Sequence, residues 1–226
     1  DGEFNLQGQD VAVGYNLGVL LEPRPGTRIG LTYRSRIQHE LDGQATFNVP
    51  TPLNASPAFQ SGPAHATLVL PDTAALSLTQ ELGRRWAVYL DLMWTDWSVF
   101  KTLSAFRSTG ELITSSVQNY RNSFTVALGA SYELGEKLTL RAGTAWEGSP
   151  VQEAFRDPRV PDNNRYLLSV GATYRISPRC ALDVAYAHVF VPNASVLDRS
   201  STGDVLQGQF SSISSNILAG GMRLSF

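Results

Sequence analysis

Side-chain character switches at every second residue over almost the whole chain, and this alternation excludes more folds than any other feature. Val11, Val13, Tyr15, Leu17, Val19 and Leu21 share one side of an extended segment, with Ala12, Gly14, Asn16 and Gly18 on the other. The same pattern sets Trp86, Val88, Leu90, Leu92 and Trp94 against Ala87, Tyr89, Asp91, Met93 and Thr95. It recurs over 124–134, 138–146, 166–176 and 182–190. A period of two places alternate residues on opposite faces of a strand, whereas a helix needs apolar residues three and four apart. No segment shows the helical period. The chain is therefore expected to be all-β and antiparallel.

The face opposite the apolar one is small and polar and carries both signs of charge: Arg34, Arg36, Asp91, Glu133, Arg141, Glu147, Arg175 and Asp183. A soluble sandwich turns its apolar face inward; a transmembrane barrel turns it to lipid and keeps the polar face for the lumen. Composition is compatible with either, because 42% hydrophobic residues at a mean hydropathy of −0.11 is what alternating strands produce. Apolar runs are too short for a transmembrane helix.

Connection length separates the two. Tight turns at 23–26, 83–84, 135–137 and 177–179 alternate with long polar segments at about 38–66, 104–118, 148–163 and 191–209. Short turns at one end and long loops at the other are the pattern of outer-membrane barrels. The aromatics agree. Trp86, Tyr132 and Tyr174 lie beside tight turns, whereas Trp94, Trp97, Trp146, Tyr166 and Phe190 lie near the long segments. Trp86 to Trp94 spans about 26 Å along a strand, or about 20 Å of height after tilt, which suits two girdles bordering an apolar band.

The last strand, 211–226, ends on Phe226 with Leu218, Met222 and Leu224 on the same side. An unpaired apolar edge invites aggregation in water, whereas in a closing barrel it pairs and faces lipid. About nine strands are expected, while single-chain bacterial barrels have an even number. The first, 11–22, descends from the long-loop side. Asp1 is no initiator residue, and no signal-peptide pattern follows it. Residues 1–226 are thus expected to form the C-terminal part of one transmembrane β-barrel domain, with earlier strands upstream.

Ordered segments then resemble one family. Gly14-Tyr15-Asn16-Leu17-Gly18-Val19-Leu20, the following turn and Arg28-Ile29-Gly30-Leu31-Thr32-Tyr33-Arg34-Ser35 resemble the FadL family of outer-membrane long-chain fatty-acid and hydrocarbon transporters. So do Trp86-Ala87-Val88-Tyr89 through Trp94-Thr95-Asp96-Trp97-Ser98, Val160-Pro161-Asp162-Asn163-Asn164-Arg165, and 168–174. The resemblance implies a barrel of roughly fourteen strands with an N-terminal hatch inside it, of which this chain would supply about the last nine. It implies uptake of a hydrophobic small molecule, passage through a lumen pocket and sideways release into the membrane. The hatch and the early kinked strand of that family have no counterpart here. Implied surroundings are outer-membrane lipid, lipopolysaccharide and, through the terminal aromatic strand, the barrel-insertion machinery.

Transport of this kind needs an apolar pocket with a polar end, not a catalytic group. A carboxylate cargo would favour an arginine, which makes Arg34, Arg36, Arg141 and Arg175 the candidate ligand-binding residues; alternatively they belong to a lumen charge network with Asp91, Glu133, Glu147 and Asp183. Asp162, Asn164 and Arg165 are candidates for a gate or ligand path, or for local structure with Asp162 capping turn amides. Pro71 interrupts the strand at 68–82 and implies a kink or bulge, a rim adjustment or an opening in the wall. Phe47, Leu53, Phe59, Phe100, Phe106 and Leu112 form either an outer collecting groove or buried loop packing.

A general diffusion porin is the alternative function, and a lipase-like outer-membrane enzyme a more distant one. The sequence has no Gly-x-Ser-x-Gly elbow and no His-Glu-x-x-His, and His39, His65 and His188 are dispersed. No cofactor or metal is expected. The single Cys180 excludes an internal disulfide, and a net charge of −2 offers nucleic acid no basic footprint.

Overall fold

The computed structural model describes residues 2–199 and 205–225, and among them the chain is built of strands joined by turns and short 3-10 segments. The first strands are β1 (Glu3–Gln9), β2 (Asn16–Arg24), β3 (Thr27–Arg34), β4 (Ile37–Asn48) and β5 (Gly62–Leu70). Next come β6 (Thr73–Leu82), β7 (Trp86–Thr95), β8 (Thr102–Arg107), β9 (Leu112–Val117), β10 (Ser123–Leu134) and β11 (Leu138–Glu147). The last are β12 (Arg165–Ser177), β13 (Cys180–Val191), β14 (Ala194–Arg199), β15 (Val205–Phe210) and β16 (Ile213–Leu224).

Nine long strands form one antiparallel sheet in the order β16-β13-β12-β11-β10-β7-β6-β3-β2. The expected number of wall strands is met. The four tight connections fall where the sequence places them, and three depend on glycine: Gly26, Gly83 and Gly135 have φ of +81°, +70° and +73°, a region that other residues enter at a cost of about 1–2 kcal/mol.

Register then joins the alternating segments into one continuous face. Leu17 lies opposite Tyr33, Leu31 opposite Leu76, Leu92 opposite Val126, Val170 opposite Tyr186 and Leu182 opposite Met222. This face is uncovered: Leu218 is 78% exposed, and no large side chain among the described residues is fully buried. A soluble sheet of this size would hide such a surface under a second layer. Here the buried apolar residues are small and lie mostly away from the nine strands, among them Ala45, Ala64, Ala66 and Ala105. Lipid is the solvent that makes the apolar face stable, and the hydrogen-bonded ladder leaves the interior backbone satisfied.

The girdles take shape at the two ends. Trp86 and Tyr132 are register partners with ring centroids 4.6 Å apart at the tight-turn end. Trp94 opposite Phe124, and Trp146 opposite Tyr166 opposite Phe190, mark the other. Trp97 lies at the same end, beyond the strand. It starts a 3-10 turn, Trp97–Val99, and packs on Phe100 and Tyr120 in the connection above the sheet.

Three of the four long segments also differ from the polar loops expected. Segments 38–66 and 104–118 fold into β4, β5, β8 and β9, which with β1 form a second sheet ordered β1-β4-β5-β8-β9, and β14 pairs with β15. Their alternation exists but is weakly apolar: in β4, Ile37, His39, Leu41 and Ala45 face in, while Gln38, Glu40, Asp42 and Gln44 face out. Only 148–164 lacks a strand. The first wall strand is shorter than the expected 11–22, because Asp10 to Tyr15 lie outside any strand and Val11 and Val13 are 94% and 91% exposed. Phe226 lies outside the described residues, as does part of the segment expected at 191–209.

Candidate functional site

The polar face of β10, β11, β12, β13 and β16 carries its smallest residues at one height. Gly129 pairs with Gly143, Gly171 with Ala185, and Ala185 with Ala219, and Gly221 lies opposite Asp183. With side chains this short, the backbone itself becomes the wall. The result is a mainly apolar trough of about 480 Å³ running across the five strands. That volume lies within the ~300–1,000 Å³ usual for small-molecule sites. A Cβ added at Gly221 would meet nothing within 4 Å, so space there is open rather than filled by a neighbour.

Charge gathers at one end of the trough. Arg141 donates from Nη1 to Thr173 Oγ1 at 2.6 Å, the Thr173 hydroxyl donates to Asp183, and Arg223 Nε donates to Asp183 Oδ2 at 3.0 Å. One carboxylate thus meets Arg223 directly and Arg141 through the Thr173 hydroxyl, which leaves the cluster net positive. Nearby, Tyr89 and Ser131 share a hydrogen bond of 2.9 Å and Ser77 donates to Asp91. The trough therefore offers an apolar bed beside a cationic end.

Of the four candidate arginines, Arg141 alone lines this trough. Arg34 sits at the top of β3 and donates from Nε to Asn16 Oδ1 at 3.1 Å. Arg175 sits at the opposite end, its Nη1 donating to the Glu136 carbonyl of a tight turn at 3.0 Å. Arg36 is not on a wall strand: it lies between β3 and β4, held by Asp72 at 2.7 Å and Asp96 at 3.3 Å. Arg223 was not among the candidates. Its position on an alternating strand was legible, but its meeting with Asp183 depends on the β13–β16 register.

Pro71 ends β5 rather than kinking one continuous strand. It and Asp72 form the step at which the chain leaves the upper sheet and enters the wall at Thr73. Asp72 pins this step, accepting from the Tyr33 hydroxyl at 2.6 Å and from the Arg36 backbone N–H at 2.8 Å. The Tyr33 hydrogen bond, outweighing burial, and then the bonds and charge of Arg36 hold its carboxyl below the usual value. A recess of about 450 Å³ opens at the same rim, between Tyr15, Tyr33 and Trp94.

Asp162, Asn164 and Arg165 stand together where the 148–164 connection enters β12. Asp162 accepts from the Ser149 hydroxyl at 2.6 Å and from Arg165 Nη2 at 2.7 Å, and Arg165 also reaches Glu147 at 3.2 Å. Amide capping is done instead by Asn164, whose side-chain oxygen accepts from Ser149 N–H at 2.9 Å, and by Asn163, which accepts from Asn164 N–H at 2.8 Å. These bonds knit the connection. Tyr120 packs into the same region, where burial and then the charges of Asp162 and Asp157 push its phenol up.

Among the apolar residues of the upper segments, Phe47 stacks on Phe4 at 4.7 Å and meets Phe59 at 6.0 Å, while Phe106 stacks on His65 at 5.7 Å. Leu53 and Leu112 stay exposed. The histidines serve separate contacts: His39 with Asp10 at 3.1 Å, His65 on Phe106, and His188 with Asn216 at 2.7 Å. No group of three or more His, Cys, Asp or Glu among the described residues is placed to hold a metal.

Comparison with known proteins decides the family. A family model described as "Outer membrane protein transport protein (OMPP1/FadL/TodX)" matches residues 2–226. The chain belongs to this family. The long-chain fatty acid transport protein of Salmonella typhi is 30% identical over 194 residues, covering 82% of this chain and 44% of that protein. A solved FadL homologue of Pseudomonas aeruginosa is 28% identical, with a TM-score of 0.78 over 92% of this chain and 50% of that one. The toluene transporter TodX of Pseudomonas putida shares the fold, with a TM-score of 0.58 at 18% identity over 94% of this chain and 49% of its own. The chain thus spans less than half the length of the curated relative and about half of each solved one. The family is one of outer-membrane β-barrels, so the apolar face meets lipid and the trough faces the lumen. The relatives are transport proteins, not enzymes.

Proposed function

We propose that the protein takes up long-chain fatty acids or related hydrophobic molecules across the outer membrane, holding them in the lumenal trough and releasing them sideways into the bilayer. The observation that carries this reading is the apolar bed of Gly129, Gly143, Gly171 and Ala185 beside the Arg141–Thr173–Asp183–Arg223 cluster. An alkyl chain lies against backbone and small side chains, and a carboxylate meets the net positive end. Sideways release is supported by the step at Pro71–Asp72, where the chain passes from the upper sheet into the wall and a recess opens at the rim between Tyr33 and Trp94.

Uptake of labelled oleate by cells carrying the full-length protein tests the reading. Gly221→Phe should fill the trough and reduce uptake to the background of cells without the protein, while the folded barrel keeps its heat-dependent gel migration. Ion conductance without lipid uptake, or full uptake by the Gly221→Phe variant, would overturn it.

A further inference from the structure

Arg156 is a buried cation that no carboxylate among the described residues neutralises. It follows the 3-10 turn Glu153–Phe155 in the connection between β11 and β12, and it is only 7% exposed. Its Nε donates to the Asp162 carbonyl at 2.9 Å and its Nη1 to the Ser195 carbonyl. Carbonyl oxygens solvate a guanidinium without cancelling its charge. The neighbouring carboxylates are engaged elsewhere, Asp162 by Arg165 and Asp157 by Arg159. Among the described residues no carboxylate pairs with Arg156.

The guanidinium borders a pocket of about 320 Å³ lined, among the described residues, almost wholly by polar groups. Arg121 supplies a second guanidinium, tethered by Nε to the Ser149 carbonyl at 3.3 Å. Asn163 and Gln152 also line it, each fixed by an amide donated to a backbone carbonyl, of Asn193 and Asn119. Among the described residues the one acidic lining residue, Glu153, is exposed, so water screens it. Two cations against one screened anion leave the pocket positive.

Burying a charge without a counter-ion is costly, and an oxyanion seated here would offset that cost. Two guanidinium forks from different segments suit a tetrahedral anion, whose several oxygens accept from both at once, better than a carboxylate, which one fork satisfies. We propose that this pocket is a binding site for a phosphate group, whether free or on a lipid headgroup. The site lies in the long connections above the wall, apart from the lumenal trough, and does not depend on the cargo.

The test uses the full-length protein in phosphate-free neutral detergent, titrated with inorganic phosphate by calorimetry. A second arm compares its thermal unfolding in phosphatidylcholine vesicles with and without lipid A bearing its phosphates. A saturable response in the first arm marks a free-phosphate site, and a rise in unfolding temperature confined to the lipid A vesicles marks a headgroup site. Arg156→Gln should abolish either response. Arg121→Gln, at an exposed position that leaves the fold intact, should weaken it by about tenfold. No response in either arm, or a response unchanged in Arg121→Gln, would overturn the proposal.

Discussion

Arg223 on β16 reaches across to Asp183 on β13, Nε to Oδ2 at 3.0 Å, and so ties the last strand to a carboxylate that Arg141 approaches through Thr173. The charge at the end of the trough is therefore set by one acidic residue between two basic ones. Replacing Asp183 with Asn should leave both guanidiniums without a counter-charge and tighten binding of an anionic fatty acid several-fold. Arg141→Gln should weaken it by a similar factor. Neither should alter binding of a neutral hydrocarbon such as toluene. Displacement of a fluorescent fatty acid from the full-length protein reads all three, and equal effects on charged and neutral ligands would contradict the assignment.

Asp72 couples the wall to the upper sheet in a pH-dependent way. Its folded pKa is held below the ordinary value of 3.8, first by the Tyr33 hydroxyl and then by Arg36. A depressed carboxyl pKa contributes stability that is fully present above the ordinary value and lost as pH falls through the folded one. Asp72→Asn should remove about 1 kcal/mol near neutrality, a charge-assisted bond discounted for the half-exposed Arg36. The variant should also flatten stability between pH 4 and lower pH, as followed by acid unfolding in detergent.

Gly43 sits where β4 passes Gly8 of β1, and a Cβ there would collide with the Gln7 carbonyl and lie 2.6 Å from the Gly8 Cα. Gly43→Val should separate β1 from β4 at a cost of about 1–3 kcal/mol. Hydrogen exchange should show lost protection over Glu3–Gln9, with the wall strands unchanged. Retained protection would mean that β1 is held by something other than this ladder.

Trp86 and Trp94 close opposite ends of β7 and should sit at opposite membrane interfaces. Lipids brominated near the headgroup should quench both more than lipids brominated at mid-chain. Trp86 and Tyr132, 4.6 Å apart, should also show a coupling energy of about 1 kcal/mol in a double-mutant cycle of thermal stability.

How much of this was legible beforehand follows from what each feature depends on. Alternation is a local property, so the wall strands, their tight turns and their lipid-facing side could be read from residues such as Leu168, Val170 and Tyr174 alone. The upper hairpins were missed because strands carrying Glu40, Asp42 and Gln44 on one face and modest residues on the other read as polar loop. Arg141 was recognised by its parity within a strand. Arg223, the ion-pair partner of Asp183, was not, because which residue of β16 meets Asp183 is fixed by register and not by either segment separately. Arg156 had no local signal at all, since its burial comes from packing against Ser195, 39 positions along the chain.

The glycines of the trough have an evolutionary corollary. Gly129 and Gly221 tolerate an added Cβ without touching backbone closer than 3.5 Å, and each glycine codon is a single base change from alanine, valine or arginine. Lineages descending from such a protein can therefore retune what fits inside one nucleotide at a time, while the part of the molecule that must survive insertion into lipid stays untouched.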